Sequence, residues 1–173
     1  TAAKVFQKSC DNDNAEACYN LANMYDSGLG IYKDDQKAVM LFTKACDGGF
    51  IDSCYNLGMM YDSGEGVTKD VVKAFTLFYK TCEKGHTRGC YNVALMYYKG
   101  QGVQKNYPKA FELFQKTCDE GYEKSCYNLG VMYRNGQGVT QNLDKALALY
   151  KKACEQGLSI ACDKYGKLRS EMQ

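Results

Sequence analysis

An all-α solenoid of stacked helix hairpins is the fold class this sequence predicts, and three observations predict it. Ten cysteines stand at positions 10, 18, 46, 54, 82, 90, 118, 126, 154 and 162, so gaps of 8 and 28 alternate along the whole chain. The segment CYNLANMYDSGLG from Cys18 returns as CYNLGMMYDSGEG from Cys54, CYNVALMYYKGQG from Cys90 and CYNLGVMYRNGQG from Cys126, which sets a 36-residue period. Within the period, Ala38, Leu41, Phe42 and Ala45 fall at i, i+3, i+4 and i+7, one face of a helix. A period of 20 to 50 residues belongs to units that share a continuous core with their neighbours, none burying its apolar face alone. The chain is expected to be one solenoid domain, 1–173, with units 1–34, 35–70, 71–106, 107–142 and a capping unit 143–173.

Each element follows from local chemistry. Asp34, matched by Asp70, Asn106 and Asn142, is an N-cap residue just ahead of the apolar stripe, so the first helix of a unit starts there. Its stripe recurs as Ala74, Leu77, Phe78 and as Ala110, Leu113, Phe114. It ends just past Cys46, where Gly49 and its equivalents Gly85, Gly121 and Gly157 suit a left-handed turn. A second helix is expected to begin near Ser53, burying Cys54, Leu57, Gly58 and Tyr61. Position 58 is small in every copy (Ala22, Gly58, Ala94, Gly130, Gly166), and because glycine weakens a helix by up to ~1 kcal/mol relative to alanine, this predicts a close helix crossing. The G-x-G loops that follow, such as Gly64-Glu65-Gly66, come after a helix, whereas a dinucleotide fingerprint follows a strand and adds a third glycine. They read as a helix C-cap and a tight turn.

The cysteine period leaves two pairing schemes. Partners 28 apart would strand Cys10 and Cys162; partners 8 apart use every cysteine, as Cys10–Cys18, Cys46–Cys54, Cys82–Cys90, Cys118–Cys126 and Cys154–Cys162. Five such bridges imply an oxidising compartment and hence a secreted or periplasmic protein. Zinc sites favour C-x2-4-C with four ligands together, and this chain has C-x7-C and one histidine, so neither metal nor cofactor is expected. A net charge of +2 lacks the basic field that nucleic acid attracts. No apolar run approaches the ~18 residues of a membrane span, and the chain, opening at Thr1 with no signal segment, is expected to be a mature or trimmed form. A monomer is expected.

The motif L-G-x-M-Y-x-x-G-x-G-V from Leu57 and again from Leu129, followed by D-x-x-K-A in the first case and N-x-x-K-A in the second and by a helix ending in K-T-C or K-A-C, resembles the Sel1-like repeat, a relative of the tetratricopeptide repeat. With a C-x7-C pair in every unit, the chain is most similar to the Helicobacter-type cysteine-rich (Hcp) proteins. The last copy departs from the pattern, with Asp163 and Lys164 in place of Tyr-Asn and no G-x-G, as a capping helix would. The resemblance implies a right-handed α/α superhelix whose CYN helices line a concave groove binding a protein or an extended peptide.

Turning about 100° per residue from the buried stripe places Tyr55, Asn56, Met59, Asp62 and Ser63 on the neighbouring face. Tyr19, Tyr91, Tyr127 and Asn20, Asn92, Asn128 repeat the first two. The others vary between copies as Asn23, Leu95 and Val131; Asp26, Tyr98 and Arg134; Ser27, Lys99 and Asn135. Positions free to vary are not needed for stacking and can encode a partner. The asparagines have two uses open to them, pairing with a peptide backbone or tying down a neighbouring helix. The tyrosines divide likewise between recognition and packing. Acid at Asp26 and Asp62 against base at Lys99 and Arg134 predicts one ligand polarity, with a ligand carboxylate near the two cations.

Catalysis finds little footing. The resemblance implies binding of penicillin-like compounds and slow β-lactam hydrolysis in a groove shaped for peptidoglycan peptides, which β-lactams mimic. Yet S-x-x-K, S-D-N and K-T-G are absent and His86 has no companion histidine, so no catalytic residue is assigned. A host-directed scaffold without a groove ligand is the other alternative.

Overall fold

A computed structural model describes residues 1–173 as ten helices and no strands. They are α1 (Ala2–Asp11), α2 (Ala15–Ser27), α3 (Asp35–Asp47), α4 (Ile51–Ser63), α5 (Val71–Glu83), α6 (Thr87–Lys99), α7 (Tyr107–Asp119), α8 (Glu123–Asn135), α9 (Leu143–Glu155) and α10 (Ser159–Glu171). The chain divides into two compact units, Thr1–His86 with α1 to α5 and Thr87–Gln173 with α6 to α10. Within each, every helix packs on the next in sequence, the pattern of an α/α solenoid.

Helices α3, α5, α7 and α9 start where the cap residues predict. Asp34 accepts from Lys37 N at 3.0 Å, Asp70 from Lys73 N at 2.9 Å, Asn106 from Lys109 N at 3.0 Å and Asn142 from Lys145 N at 2.9 Å. Replacing Asn142 by alanine should destabilise the protein by about 1 kcal/mol, while Asn142→Asp should melt with the parent; thermal unfolding checks both. A fall for the aspartate as large as for the alanine would count against the cap.

The start of α4 differs from expectation. The helix begins at Ile51, and Ser53 is no cap: it is buried, its hydroxyl donating to Phe42 O at 2.9 Å. Instead the Phe50 carbonyl receives Ser53 N and Cys54 N, so the backbone closes the first turn without a polar side chain. Gly49 at φ 88° makes the reversal ahead of it. The second glycine of G-x-G has its own reason: at Gly66, φ 69°, a Cβ would run into the Asp35 backbone, so the loop seats on the start of α3.

The small position is also explained. A Cβ on Gly58 would lie 2.7 Å from the Phe78 ring of α5, and one on Gly130 would lie 2.8 Å from the Tyr150 ring of α9. Each second helix thus receives the aromatic ring of the helix that follows. At Gly166 of α10 nothing lies within 4 Å of the added atom, since α10 is the final helix described and receives no such ring.

Repeated lysines hold the stack from outside. Lys44 Nζ donates to Cys10 O (2.8 Å) and Lys152 Nζ to Cys118 O (3.3 Å), each satisfying a carbonyl at the end of an earlier helix. The lysines three residues after each cap Asp or Asn lie over tyrosine rings, Lys37 on Tyr25 at 5.2 Å and Lys73 on Tyr61 at 4.6 Å in the first unit, Lys109 on Tyr97 and Lys145 on Tyr133, both at 5.2 Å, in the second.

The bridges have the expected connectivity. Cys10–Cys18, Cys46–Cys54, Cys118–Cys126 and Cys154–Cys162 join Cα atoms 4.6 to 4.7 Å apart. Cys82 and Cys90 are disulfide-bonded too, and no cysteine is free.

Candidate functional site

The residues singled out by rotation from the buried stripe divide into two classes. The repeated tyrosines pack between helices. In Thr1–His86, the Tyr19 ring lies 4.7 Å from Phe50 and 6.1 Å from Phe42, and Tyr55 lies 4.7 Å from His86 and 5.7 Å from Phe78. His86 also faces Asp52 at 3.5 Å, which places the chain's one histidine in the packing of a turn. In Thr87–Gln173, Tyr91 lies 5.0 Å from Tyr122 and 5.9 Å from Phe114, and Tyr127 lies 5.7 Å from Tyr150.

The repeated asparagines tie a helix to the equivalent helix of the preceding repeat. Asn56 Nδ2 donates to Asn23 Oδ1 at 3.3 Å, while Asn23 Nδ2 donates to Tyr19 O at 3.0 Å. Asn128 Nδ2 lies 2.8 Å from Lys124 O and 3.4 Å from Tyr91 Oη. Asn20 and Asn92 are half-buried on α2 and α6. Of the two uses open to asparagine, Asn56 and Asn128 engage the structural one.

The variable positions carry the surface. In the first unit, Asp26 of α2 joins Asn56, Met59 and Ser63 of α4 around one cavity of about 220 Å³, with Phe42 and Met60 as its apolar floor and Glu65 at its rim. Met59 is 43% exposed, and Asp62, half-buried, lies outside this lining. Burial, and next the Glu65 carboxylate, push the Asp26 carboxyl above its ordinary range; Lys33 pulls it the other way and Asp35 adds to the push. Carboxylate oxygens of Asp26, Asp35 and Glu65 lie within 4.8 Å of one another. The Lys33 ammonium already sits among them, 3.0 Å from Glu65 Oε1 and 3.2 Å from Asp35 Oδ1, where a metal ion would otherwise go.

In the second unit the two cations expected near a ligand carboxylate differ in their surroundings. Lys99 is exposed at the end of α6. Arg134 holds the chain's own Glu171 at 2.9 Å, because the final helix brings that carboxylate to it. Val131 packs against the cluster of Ala146, Tyr150 and Leu168, and Leu95 is half-buried. Tyr98 Oη donates to Gln137 Oε1 at 2.8 Å, and its ring lies 5.4 Å from Tyr107.

Glu65 and Gln137 are the residues that sequence reasoning passed over. Both occupy the middle of G-x-G, set aside as a turn, yet each reaches the variable face of its unit. Their signal was present: the middle position reads Leu29, Glu65, Gln101 and Gln137 while the flanking glycines never change.

Comparison with known proteins agrees with this geometry. The Sel1 repeat model matches residues 15–50, 51–86, 87–122 and 123–158. Among solved structures, c5321, a protective antigen present in uropathogenic Escherichia coli strains and displaying an SLR fold, is 28% identical at a TM-score of 0.93 over 98% of this chain and 36% of that one. A Sel1 repeat protein from Oxalobacter formigenes is 29% identical at a TM-score of 0.80, over 87% of this chain and 62% of that one. Helicobacter pylori cysteine rich protein B is 31% identical at a TM-score of 0.56, over 73% of this chain and 96% of that one. The chain thus spans about a third of the first structure and under two thirds of the second. No curated protein matches the chain by sequence.

Proposed function

Because this chain belongs to the Sel1 repeat family, whose repeats generally serve protein–protein contact, we propose that it binds an extended peptide segment of a partner along its CYN helices, outside the cytoplasm. The compartment rests on five bridges in a chain with no free cysteine, chemistry that an oxidising environment maintains. No helix is long and apolar enough to cross a membrane.

The observation that carries the peptide reading is the cavity of the first unit. It gathers Asp26, Asn56, Met59 and Ser63 from two successive CYN helices, and all but Asn56 stand at positions that vary between copies. Stacking of the repeat does not require those identities, whereas a row of side-chain pockets flanked by amide groups is what an extended segment needs. Met59→Trp fills the mouth of this cavity without disturbing the buried residues. It should weaken binding of peptides selected on the wild-type protein by tenfold or more, read by fluorescence anisotropy, with an unchanged melting temperature. Equal affinity for the variant would remove the cavity from the binding surface.

A further inference from the structure

We propose that the cavity between α2 and α4 takes a basic side chain of the bound segment, its methylenes against Phe42, Met59 and Met60 and its cationic head between Asp26 and Glu65. The proposal rests on the peptide reading above and names the residue class that this pocket selects.

Its size suits one side chain. At about 220 Å³ it lies below the ~300 to 1,000 Å³ of small-molecule pockets. A lining that sets Phe42, Met59 and Met60 beside the neighbouring carboxylates of Asp26 and Glu65 matches the long stem and charged head of lysine or arginine.

The charge balance points the same way. Three carboxylates approach one another here and a single ammonium, Lys33, answers them through Glu65 and Asp35. Asp26 is in no ion pair, although it is half-buried and lines the cavity. Its carboxyl is held above its ordinary range first by burial and next by the Glu65 carboxylate, with Lys33 pulling the other way.

A comparison inside the chain separates function from structure. Two periods of 36 carry Asp26 to Tyr98 and Glu65 to Gln137, so these pairs occupy equivalent places in the two units. In the second unit the pair is neutral and closed by the 2.8 Å hydrogen bond from Tyr98 to Gln137. The stack is therefore served by an uncharged, self-satisfied pair at this place. In the first unit the same place holds two carboxylates beside an open cavity; Lys33 pairs with Glu65 and not with Asp26, and an incoming cation would answer the second charge.

The test uses the whole chain and capped nonapeptide mixtures. All are built from alanine, serine, glycine and leucine, with lysine, norleucine or glutamate at the fifth position. The lysine mixture should bind about tenfold or more tightly than the norleucine mixture, and the glutamate mixture most weakly. Asp26→Asn should remove most of the lysine preference. Lys33→Ala, which withdraws the internal cation, should strengthen binding of the lysine mixture, a gain that a damaged fold would not produce. Equal binding of lysine and norleucine mixtures, or an unchanged preference in Asp26→Asn, overturns the basic-residue assignment while leaving the groove in place. Absence of binding by every mixture overturns the peptide reading with it.

Discussion

Reduction of the disulfides should leave this chain unfolded at 25 °C. Each bridge closes a loop of about nine residues, for which the chain-entropy model gives about 2.5 kcal/mol. Five together supply on the order of 12 kcal/mol, comparable with the whole net stability of about 5 to 15 kcal/mol expected of a domain. The bridges also hold sulfur atoms in the core, where Cys10, Cys18, Cys54, Cys118 and Cys126 are almost completely buried. The measurement is far-UV circular dichroism against temperature, with and without a strong thiol reductant. A reduced chain that keeps a cooperative helical melt would show that helix stacking alone carries the fold.

One substitution at two equivalent positions should act in opposite directions. Gly58→Leu drives a branched side chain into the Phe78 ring, which a bare Cβ would already approach to 2.7 Å. Overpacking of this kind costs about 3 kcal/mol, or a fall of roughly 6 to 12 °C in melting temperature at this chain length. Gly166→Leu adds the same atoms where nothing lies within 4 Å of the Cβ and gains up to ~1 kcal/mol of helix propensity. Its melting temperature should hold or rise by a few degrees. Parallel destabilisation of both variants would mean that the small position answers to the helix itself and not to the ring of the following helix.

The period, the caps of α3, α5, α7 and α9, the bridge connectivity and most of the buried stripe, Tyr61 being only half-buried, were legible in the amino-acid sequence. They depend on residues close together in the chain: Asp70 caps an amide three residues away, and each cysteine pairs with one eight residues away. The face that carries Asp26, Asn56 and Met59 was legible for the same reason, since helical rotation follows from residue number. The helix start at Ile51 was hidden because a backbone carbonyl closes that turn, leaving no side chain to mark it.

What only the tertiary structure decided is which side chains on that face are spent on packing and which are left over. Tyr55 is taken up by Phe78 and His86, Asn56 donates to Asn23, and Arg134 is held by Glu171. Asp26, by contrast, meets Glu65 from the following repeat's loop across an open cavity. These meetings join residues of different helices, or of a helix and a loop, far apart in the chain, and they are set by how one hairpin lies on the next. Periodicity states that equivalent residues share a place in the stack; the packing of unlike side chains at that place determines whether a charge is neutralised from within or left for a partner.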